Sequence, residues 1–425
     1  MRVLLVGSGG REHALALALK NSVSVTELLA APGNPGIGVV ARLAPIMADD
    51  VFGLVSLAVA EQIDLVVVGP EIALAAGLAD ALATRNIACF GPSQKAAQLE
   101  SSKSFTKSLC AAHNIPTAAY AMFTQVDPAL EYLAQLEAPF VIKADGLAAG
   151  KGVIIAETMS DAKDAVTTML STQFGGINAA IVIEEFMTGE EVSFFALCDG
   201  RRTLYLGAAQ DYKRAFDGDK GPNTGGMGAY SPPHFISPGL IQEVMETIIE
   251  PTAKAMRDKD MPFVGVLFAG LMLTPDGPKL IEYNARFGDP ECQVLLARFE
   301  GDFAALLMAC ARGHLDRAPS FSLSANHAAL VVMAAQGYPD NPISGSEIRG
   351  ETRASQVQGG VLLHAGTQRD GDGRLRCVGG RVLNAVGVAP DIKQSLTNAY
   401  AVVDAIDWPL GFCRRDIGWQ ALNGD

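Results

Sequence analysis

The first hundred residues alternate short apolar runs with helix-like stretches. Residues 2–7 are predicted to form a buried strand, and residues 64–71 and 88–93 read as two more strands that each run into a turn. A helix is predicted from about residue 11 to 20, with other helical stretches between the strands. Alternation of strands and helices predicts an open parallel α/β sheet that ends near residue 100.

The middle of the chain follows a different pattern. Strands are predicted at 140–143, 152–156, 180–186 and 192–197, with a helix at about 160–170, which is typical of an α+β arrangement. A glycine-rich stretch from about 211 to 233 is predicted to be a long loop, and a loop of that length is usually functional or disordered.

Short strands with frequent glycine return after about residue 326. They are predicted at 328–335, 360–366 and 381–388, before a helix at about 390–406, so this part is predicted to be a small C-terminal α+β domain. We therefore predict three domains, at 1–100, 101–325 and 326–425, with a mobile glycine-loop subdomain at about 120–190.

Composition narrows the class of protein. The chain has 425 residues, of which 49% are apolar and 19% charged, which suits buried cores and excludes a disordered protein. Its net charge of −13 does not favour a nucleic-acid binder. Seven scattered cysteines form no Cys-x-x-Cys pair, and no signal peptide or membrane-length apolar run is evident, so a reduced cytoplasmic protein is expected.

The segment 281–290 carries the strongest chemical signal. It follows an apolar stretch and a turn at 274–277, and is predicted to be the second strand of a hairpin. Side chains alternate on a strand, so Glu282, Asn284 and Arg286 should share one face. Two oxygen ligands suit Mg²⁺, and an arginine beside them could hold a transferring phosphoryl group. A salt-bridged sheet face is the alternative interpretation.

A second glycine-rich segment runs from Lys143 to Gly152. Its glycines and alanines would let the backbone approach a ligand, and its lysines could hold phosphates. It is not a Walker A loop, because the spacing differs and strands flank both sides. A hairpin that closes over a nucleotide fits better than that loop, and an ordinary flexible hairpin is the alternative.

The first strand leads into Gly7-Ser8-Gly9-Gly10-Arg11-Glu12. Glu12 stands where a dinucleotide-binding fingerprint has glycine, so NAD is disfavoured and a substrate phosphate is the simpler ligand. The segments 32–34 and 69–71 end other strands at what should be the same sheet edge.

Two further segments are candidates for ligand contacts. Glu184-Glu185-Phe186, followed by Glu191, could be a nucleotide hinge, although a solvated acidic turn fits that stretch equally well. The segment 221–228 follows the basic pair at 213–214 and could be a mobile anion-binding loop; a disordered linker is the alternative.

In order along the chain, these motifs resemble the phosphoribosylamine–glycine ligase (glycinamide ribonucleotide synthetase) family of ATP-grasp enzymes. The likeness runs nearly end to end and includes Gly-Pro-Asn-Thr-Gly-Gly-Met-Gly-Ala-Tyr-Ser-Pro and Glu-x-Asn-x-Arg-Phe-Gly-Asp-Pro-Glu, with Gly-Gly-Arg-Val at 379–382. It implies an N-terminal pre-ATP-grasp α/β domain, a central ATP-grasp fold and a C-terminal α+β domain. It also implies that ATP, glycine and 5-phosphoribosylamine react through glycyl phosphate, with Mg²⁺ or Mn²⁺, in a cytoplasmic enzyme expected to be a monomer.

The resemblance also implies roles for individual residues. The metal ligands would be Glu282 and Asn284. The catalytic residues would be Arg286, Lys213 and Asp211. The nucleotide contacts would be Lys103, Lys143, Asp145, Gly146, Gly150, Lys151, Gly152, Glu184, Glu185, Phe186 and Glu191. The substrate contacts would be Gly9, Gly10, Pro32, Gly33, Asn34, Glu71, Asn223, Gly226 and Asp289.

Three other interpretations remain at this stage. A different purine-pathway ATP-grasp ligase would share Glu282 and Asn284 but should lack the 211–233 segment. An NAD-dependent dehydrogenase would need a complete glycine fingerprint. A nucleotide-binding module without catalysis would be expected to lose Glu282, Asn284 or Arg286. Two segments also depart from the family pattern: Ile72-Ala73-Leu74 follows Glu71 where Ala-Pro-Leu is usual, and Ser101 follows Glu100 where glycine is usual. Both changes could alter loop stiffness, since Pro and Gly are replaced.

Overall fold

The computed structural model describes residues 1–146, 152–171 and 180–423. It begins with the predicted parallel sheet, which has five strands in the order β3-β2-β1-β4-β5. The strands are β1 (Arg2–Gly7), β2 (Glu27–Pro32), β3 (Arg42–Leu43), β4 (Leu65–Val68) and β5 (Ala88–Phe90). The helices between and after them are α1 (Gly10–Asn21), α2 (Val51–Ala60), α3 (Glu71–Ala75), α4 (Leu78–Ala83), α5 (Gln98–Ser101) and α6 (Lys103–His113), with a 3₁₀ turn at Ile37–Val39.

The parallel sheet is buried because its central strands are apolar on both faces. Val3 and Leu5 of β1 pack into one core, whereas Leu4 and Val6 pack into another on the opposite face. Gly7 pairs with Pro32 at the ends of β1 and β2. The carboxyl ends of these strands therefore form one edge, where open α/β sheets bind ligands.

A smaller antiparallel sheet follows, in the order β6-β9-β7-β8. Its strands are β6 (Tyr120–Phe123), β7 (Phe140–Ala144), β8 (Val153–Ala156) and β9 (Ile181–Glu184), and its helices are α7 (Val126–Leu133) and α8 (Met159–Met169). The two helices pack their apolar faces on the sheet and form a separate small core. The predicted strands and helix of this region are confirmed.

The largest sheet has nine strands, in the order β16-β15-β10-β11-β14-β19-β24-β21, with β25 paired to β19. These strands are β10 (Glu190–Asp199), β11 (Thr203–Asp211), β14 (Gly228–Ser231), β15 (Val264–Thr274), β16 (Gly277–Asn284), β19 (His327–Ala335), β21 (Gly360–His364), β24 (Arg381–Ala389) and β25 (Gly411–Phe412). The pairing of β14 with β19 joins the central and C-terminal parts of the chain in one sheet.

Short strands and helices complete the structure. The strands are β12 (Arg214–Phe216), β13 (Lys220–Asn223), β17 (Phe299–Glu300), β18 (Ser322–Leu323), β20 (Glu347–Ile348), β22 (Thr367–Arg369) and β23 (Leu375–Cys377). The helices are α9 (Pro238–Val244), α10 (Glu250–Asp258), α11 (Glu291–Leu296), α12 (Phe303–Ala311), α13 (Glu351–Ala354), α14 (Ile392–Ala405) and α15 (Trp419–Asn423), with a π turn at Met245–Ile249 and a 3₁₀ turn at Leu315–Arg317. Among the described residues, no helix is both long and apolar enough to cross a membrane.

The segment 211–233 differs from its prediction as a long loop. It contains the hairpin of β12 and β13, and then β14, which lies inside the large sheet. Ala229 and Tyr230 of β14 are fully buried. The loop prediction is therefore wrong, because burial between two neighbouring strands outweighs the low strand preference of glycine.

Candidate active site

Strand β16 carries the two predicted metal ligands. Glu282 and Asn284 are half-buried and lie on the face opposite the buried Tyr283. Glu282 pairs across the hairpin with Gly270, which has no side chain to cover it. Among the described residues, neither the Glu282 carboxylate nor the Asn284 amide has a hydrogen-bond or ion-pair partner. Their oxygens are therefore free to bind a cation.

These two oxygen donors fit Mg²⁺ or Mn²⁺ in a nucleotide site. The described residues contain no group of three or more His, Cys, Asp or Glu side chains that could form a complete metal cage. Mg²⁺ bound with a nucleotide needs only one or two protein carboxylates, since phosphate oxygens and water complete its shell. The donor set is therefore suitable for a cation that is shared with bound phosphates.

Arg286 lies beyond β16, which ends at Asn284, so the prediction that the strand extends to Arg286 is wrong. Its Nε is 3.3 Å from Oε2 of Glu71, and its second terminal nitrogen is 3.0 Å from Oε1 of Glu100. The structure thus brings together a predicted catalytic residue and a predicted substrate contact. Burial raises the pKa of Glu100, although Arg286 and the Ala285 N–H oppose this shift.

Glu100 was not predicted as a site residue. It stands three residues before Lys103, which was predicted to bind the nucleotide, and that proximity was the available signal. Glu71 differs from it: burial raises the pKa of Glu71, but Arg286 and Arg11 outweigh burial and lower it. Glu71 is therefore a stable carboxylate at the edge of the parallel sheet.

A second charged cluster contains Asp211, Lys213 and Glu191. Lys213 forms an ion pair with Glu191, and its Nζ lies 3.6 Å from Oδ1 of Asp211. Partial desolvation lowers the pKa of Lys213, but the two carboxylates outweigh it and raise the pKa above its ordinary value. Glu191, which was predicted to contact ribose, is engaged by this lysine.

Asp211 is the titrating member of that cluster. Burial raises its pKa to about 7, although Lys213 acts in the opposite direction, and Glu291 adds to the rise. Glu291 is buried, accepts a hydrogen bond from Ser193 Oγ at 3.1 Å, and was not predicted. Asp211 can therefore exchange a proton near neutral pH, beside a permanent cation.

Lys143 belongs to a buried cluster with Glu184 and Lys107. Nζ of Lys143 is 2.9 Å from Oε2 of Glu184, and Nζ of Lys107 is 3.2 Å from Oε1 of the same carboxylate. The three side chains are 3–5% exposed. Glu184, predicted to lie in the adenine hinge, therefore turns its carboxylate inward. Lys107 was missed, although it lies four residues after Lys103 and so on the same face of α6.

The start of the predicted nucleotide loop lies against α6. Nζ of Lys103 donates to the Gly146 carbonyl at 3.2 Å, and Asp145 Oδ1 accepts from the Ser104 N–H at 3.2 Å. At the far end of the loop, the Gly152 carbonyl accepts from Ala144 N–H at 2.8 Å. The structure thus brings together Lys103, Asp145 and Gly146. Two other predicted contacts, Gly150 and Lys151, lie outside the described residues.

The outer hinge residues are accessible. Phe186 is 42% exposed, and Glu185 lies 3.5 Å from Lys279. Together with Glu184 they line an open cleft of about 330 Å³ against residues 136–139. An exposed aromatic ring beside an open cleft is available for stacking on a ligand.

The glycine-rich start of α1 forms one wall of the sheet edge. Glu12 accepts from Gly9 N–H at 2.5 Å and binds Nε of Arg11 at 2.6 Å. A Cβ added to Gly10 would lie 2.0 Å from Nδ2 of Asn384, so any larger residue collides with the C-terminal region. The positive dipole end of this helix suits an anion, and Glu12 already accepts from the Gly9 N–H there.

The neighbouring segment 32–34 is held to the C-terminal region. Nδ2 of Asn34 donates to the carbonyls of Ser8 at 2.8 Å and His364 at 2.9 Å, while its Oδ1 accepts from Ile37 N–H. His13 Nδ1 accepts from His364 N–H at 2.8 Å. The Asn34 side chain therefore shapes the loop through backbone contacts, and Pro32 and Gly33 lie beside the α1 terminus.

Asp289 and Gly226 meet through Arg381. NH1 of Arg381 donates to the Asp289 carbonyl at 2.6 Å and to the Gly226 carbonyl at 3.4 Å. Burial raises the pKa of Asp289, but Arg381 and Arg11 outweigh it and lower that pKa. Arg381 was not predicted as a site residue. Asn223, at the end of β13, is exposed, and no contact links its side chain to these groups among the described residues.

Family profiles cover most of the chain. "Phosphoribosylglycinamide synthetase, N domain" matches residues 1–100, the "ATP-grasp (A) domain" of that family matches 101–292, and its "C domain" matches 328–420. The phosphoribosylamine–glycine ligase of Caulobacter vibrioides is 53% identical over 422 residues, covering 99% of both chains. The chloroplastic enzyme of that name from Arabidopsis thaliana is 49% identical, covering 97% of this chain and 79% of its own.

Solved structures show the same architecture. The crystal structure of phosphoribosylamine–glycine ligase from Thermotoga maritima has a TM-score of 0.85 and 31% identity, covering 98% of this chain and 100% of that one. Biotin carboxylase from Campylobacter jejuni has a TM-score of 0.73 at 15% identity, covering 97% and 92%, which shows a shared fold only. The predicted multidomain ATP-grasp fold is confirmed.

Proposed function

The chain belongs to the phosphoribosylglycinamide synthetase family, and from this premise we infer that it ligates glycine to 5-phosphoribosylamine. The reaction consumes ATP and yields N1-(5-phosphoribosyl)glycinamide, ADP and phosphate, the second step of purine biosynthesis. It is a carbon–nitrogen ligation between small molecules. The structural observation that carries the inference is the pair of side chains Glu282 and Asn284 on β16. Their oxygens have no partner within the part of the chain that the structure describes, and they lie beside the buried cluster of Lys143, Lys107 and Glu184.

Enzymes with this fold use ATP with a divalent cation. Glu282 and Asn284 would hold it, and the cation would neutralise phosphate charge during transfer. We propose Mg²⁺ as the usual ion and Mn²⁺ as a substitute, because both are hard cations that accept carboxylate and amide oxygens. Lys103 and Lys143 would contact the nucleotide phosphates, and Phe186 would lie against the base.

The first chemical step forms glycyl phosphate. A glycine carboxylate oxygen attacks the γ-phosphorus of ATP, and ADP leaves. We assign Arg286 to the transferring phosphoryl group, because it is a fixed cation two residues beyond Asn284. Lys213 would hold the glycine carboxylate or the acyl phosphate oxygens, supported by its ion pair with Glu191.

The second step forms the amide. The amine of phosphoribosylamine attacks the acyl carbon, phosphate leaves, and the nitrogen loses one proton. Asp211 is suited to receive that proton, since burial raises its pKa to about 7. The phosphoribosyl group would lie against Gly9, Gly10, the 32–34 segment and Glu71, on the side where Asp289 and Gly226 meet.

The remaining assignments stay proposals. We keep the three-part division of the chain at residues 100 and 325, and note that the large sheet crosses the second boundary. A monomer and a cytoplasmic location stay predictions from the sequence.

The test is ADP release with ATP and Mg²⁺, adding glycine and freshly prepared phosphoribosylamine separately and together. Release that requires both, with an equal amount of glycinamide ribonucleotide, is the expected result. Release with a different acid or amine, but none with this pair, would overturn the substrate assignment and favour another ATP-grasp carboxylate–amine ligase.

A further inference from the structure

The buried cluster around Glu184 contains one more lysine than its charge requires. Among the residues that the structure describes, its carboxylate has two cationic neighbours, Lys143 on β7 and Lys107 on α6, at 2.9 and 3.2 Å. One carboxylate balances one ammonium, so the cluster holds one positive charge in excess. Buried charges are normally paired, and an excess cation in the interior therefore indicates a missing anion.

The two lysines are held differently. Lys107 Nζ also donates to Thr117 Oγ1 at 2.7 Å, and that hydroxyl donates to the Leu280 carbonyl at 2.7 Å. Lys143 Nζ has a longer second contact, 3.4 Å to the Ile281 carbonyl. Apart from Glu184, Lys107 therefore has a short anchoring contact, whereas Lys143 has only the long contact with Ile281 and is the lysine that can turn toward another anion.

Lys107 also needs Glu184 to keep its positive charge. Burial lowers the pKa of Lys107, and Glu184 only partly restores it. Its ammonium therefore depends on the Glu184 carboxylate as counter-ion. Lys143 contacts the carbonyl of Ile281, which is the residue that precedes Glu282 on β16. It can therefore turn toward the proposed cation and phosphates.

We propose that Lys107 is a positioning residue, which neutralises Glu184 and thereby leaves Lys143 free to bind the phosphates of the nucleotide. Without Lys107, Glu184 holds Lys143 in a full buried ion pair, and the cluster loses its excess charge. The proposal rests on the proposed nucleotide site and adds to it a residue that touches neither nucleotide nor metal.

Variants that change the net charge of this cluster test the proposal. Wild type has a net charge of one positive unit in the cluster, Lys107→Met has none, and the double variant Lys107→Met/Glu184→Gln again has one. The dissociation constant of the β,γ-methylene analogue of ATP with Mg²⁺, measured by calorimetry on the full chain, should rise by about tenfold or more in Lys107→Met. The double variant should recover most of that loss.

A purely structural role predicts a different pattern. If Lys107 only supports packing, Glu184→Gln should add a second defect, and the double variant should bind the analogue no better than Lys107→Met. That outcome, or wild-type binding by Lys107→Met, overturns the proposal. The matched control is Lys254→Met on α10, which removes a lysine from an exposed pair with Asp258 and should leave binding unchanged.

The steady-state constants give an independent check. Lys107→Met should raise KM for ATP, with a smaller effect on KM for glycine, and Lys107→Arg should bind more like wild type because it keeps the charge. If the wild-type chain binds the analogue but forms no glycinamide ribonucleotide, the proposed function fails, while the same binding pattern across variants still decides the role of Lys107.

Discussion

Replacing Arg286 with alanine should damage both turnover and stability, and the two effects can be separated. Arg286 contacts Glu71 through Nε and Glu100 through Nη2 of its guanidinium group. Its removal deprives the proposed phosphoryl site of a cation. It also leaves the buried Glu100 carboxylate with the Ala285 N–H as its one remaining close partner among the residues that the structure describes. Turnover should fall because the negative charge on the transferring phosphoryl group would lose a stabilising cation in the transition state.

The structure sets a limit on the stability loss. A carboxyl that cannot stay ionised takes up a proton. Since pH 7 lies about 2.7 pH units above the ordinary pKa of glutamate, and each unit corresponds to roughly 1.4 kcal/mol, this protonation costs about 3.7 kcal/mol. Glu100 already has a raised pKa in the wild type, so the added loss should be smaller than this limit. The Glu71 carboxylate is 39% exposed and should contribute little.

The double variant Arg286→Ala/Glu100→Gln separates the two effects. Glutamine is neutral and can still accept from Ala285 N–H, so urea unfolding should show most of the lost stability restored. Turnover, measured as glycine-dependent ADP release, should remain low. Arg317→Ala, which removes an exposed arginine, serves as control. Recovery of turnover together with stability would show that Arg286 acts through folding and would refute its assigned role.

Three further predictions concern the metal, the pH dependence and the substrate edge. Glu282→Ala should reduce turnover far more than stability and raise the Mg²⁺ concentration needed for activity, as measured by metal titration; wild-type turnover at saturating Mg²⁺ would contradict the site. Burial lowers the pKa of His13 to about 3, so the stability contributed by neutral His13 is present above pH 6.5 and is lost as pH falls. Between pH 7 and 5, the free energy of unfolding of wild type should therefore fall by about 2 kcal/mol more than that of His13→Asn. The control His314→Asn, at an exposed position, should behave like wild type. Gly10→Ala should lower the thermal midpoint and raise KM for phosphoribosylamine, and a second change, Asn384→Ala, should restore the midpoint but not KM, since it removes only the collision.

Much of the secondary structure could be predicted because it depends on local pattern. The buried parallel strands are continuous apolar runs, and the C-terminal strand and helix boundaries agree within a few residues. The 211–233 segment could not be predicted in this way. Its glycine and polar residues favour a loop locally, and only pairing of β14 with β11 and β19 makes it a strand.

Some features of the site follow from the local sequence, whereas others depend on residues that are far apart in the chain. Glu282 and Asn284 share a strand, so their common face follows from alternation alone. The partners of Arg286 lie 215 and about 186 positions away, and no spacing rule connects them. Lys107 and Arg381 were missed for the same reason, since their roles depend on which distant carboxylate or carbonyl the fold brings against them.

The pairing of β14 with β19 has a consequence for any attempt to divide the protein. A chain cut after residue 325 would retain β14 but lose its partner, so the N–H and C=O groups of residues 228–231 along that side would become an open edge. Such an edge is a template for association with other chains. Truncated protein should therefore aggregate by strand pairing, and a fragment used for screening or crystallisation should keep residues 327–335 as a covering strand.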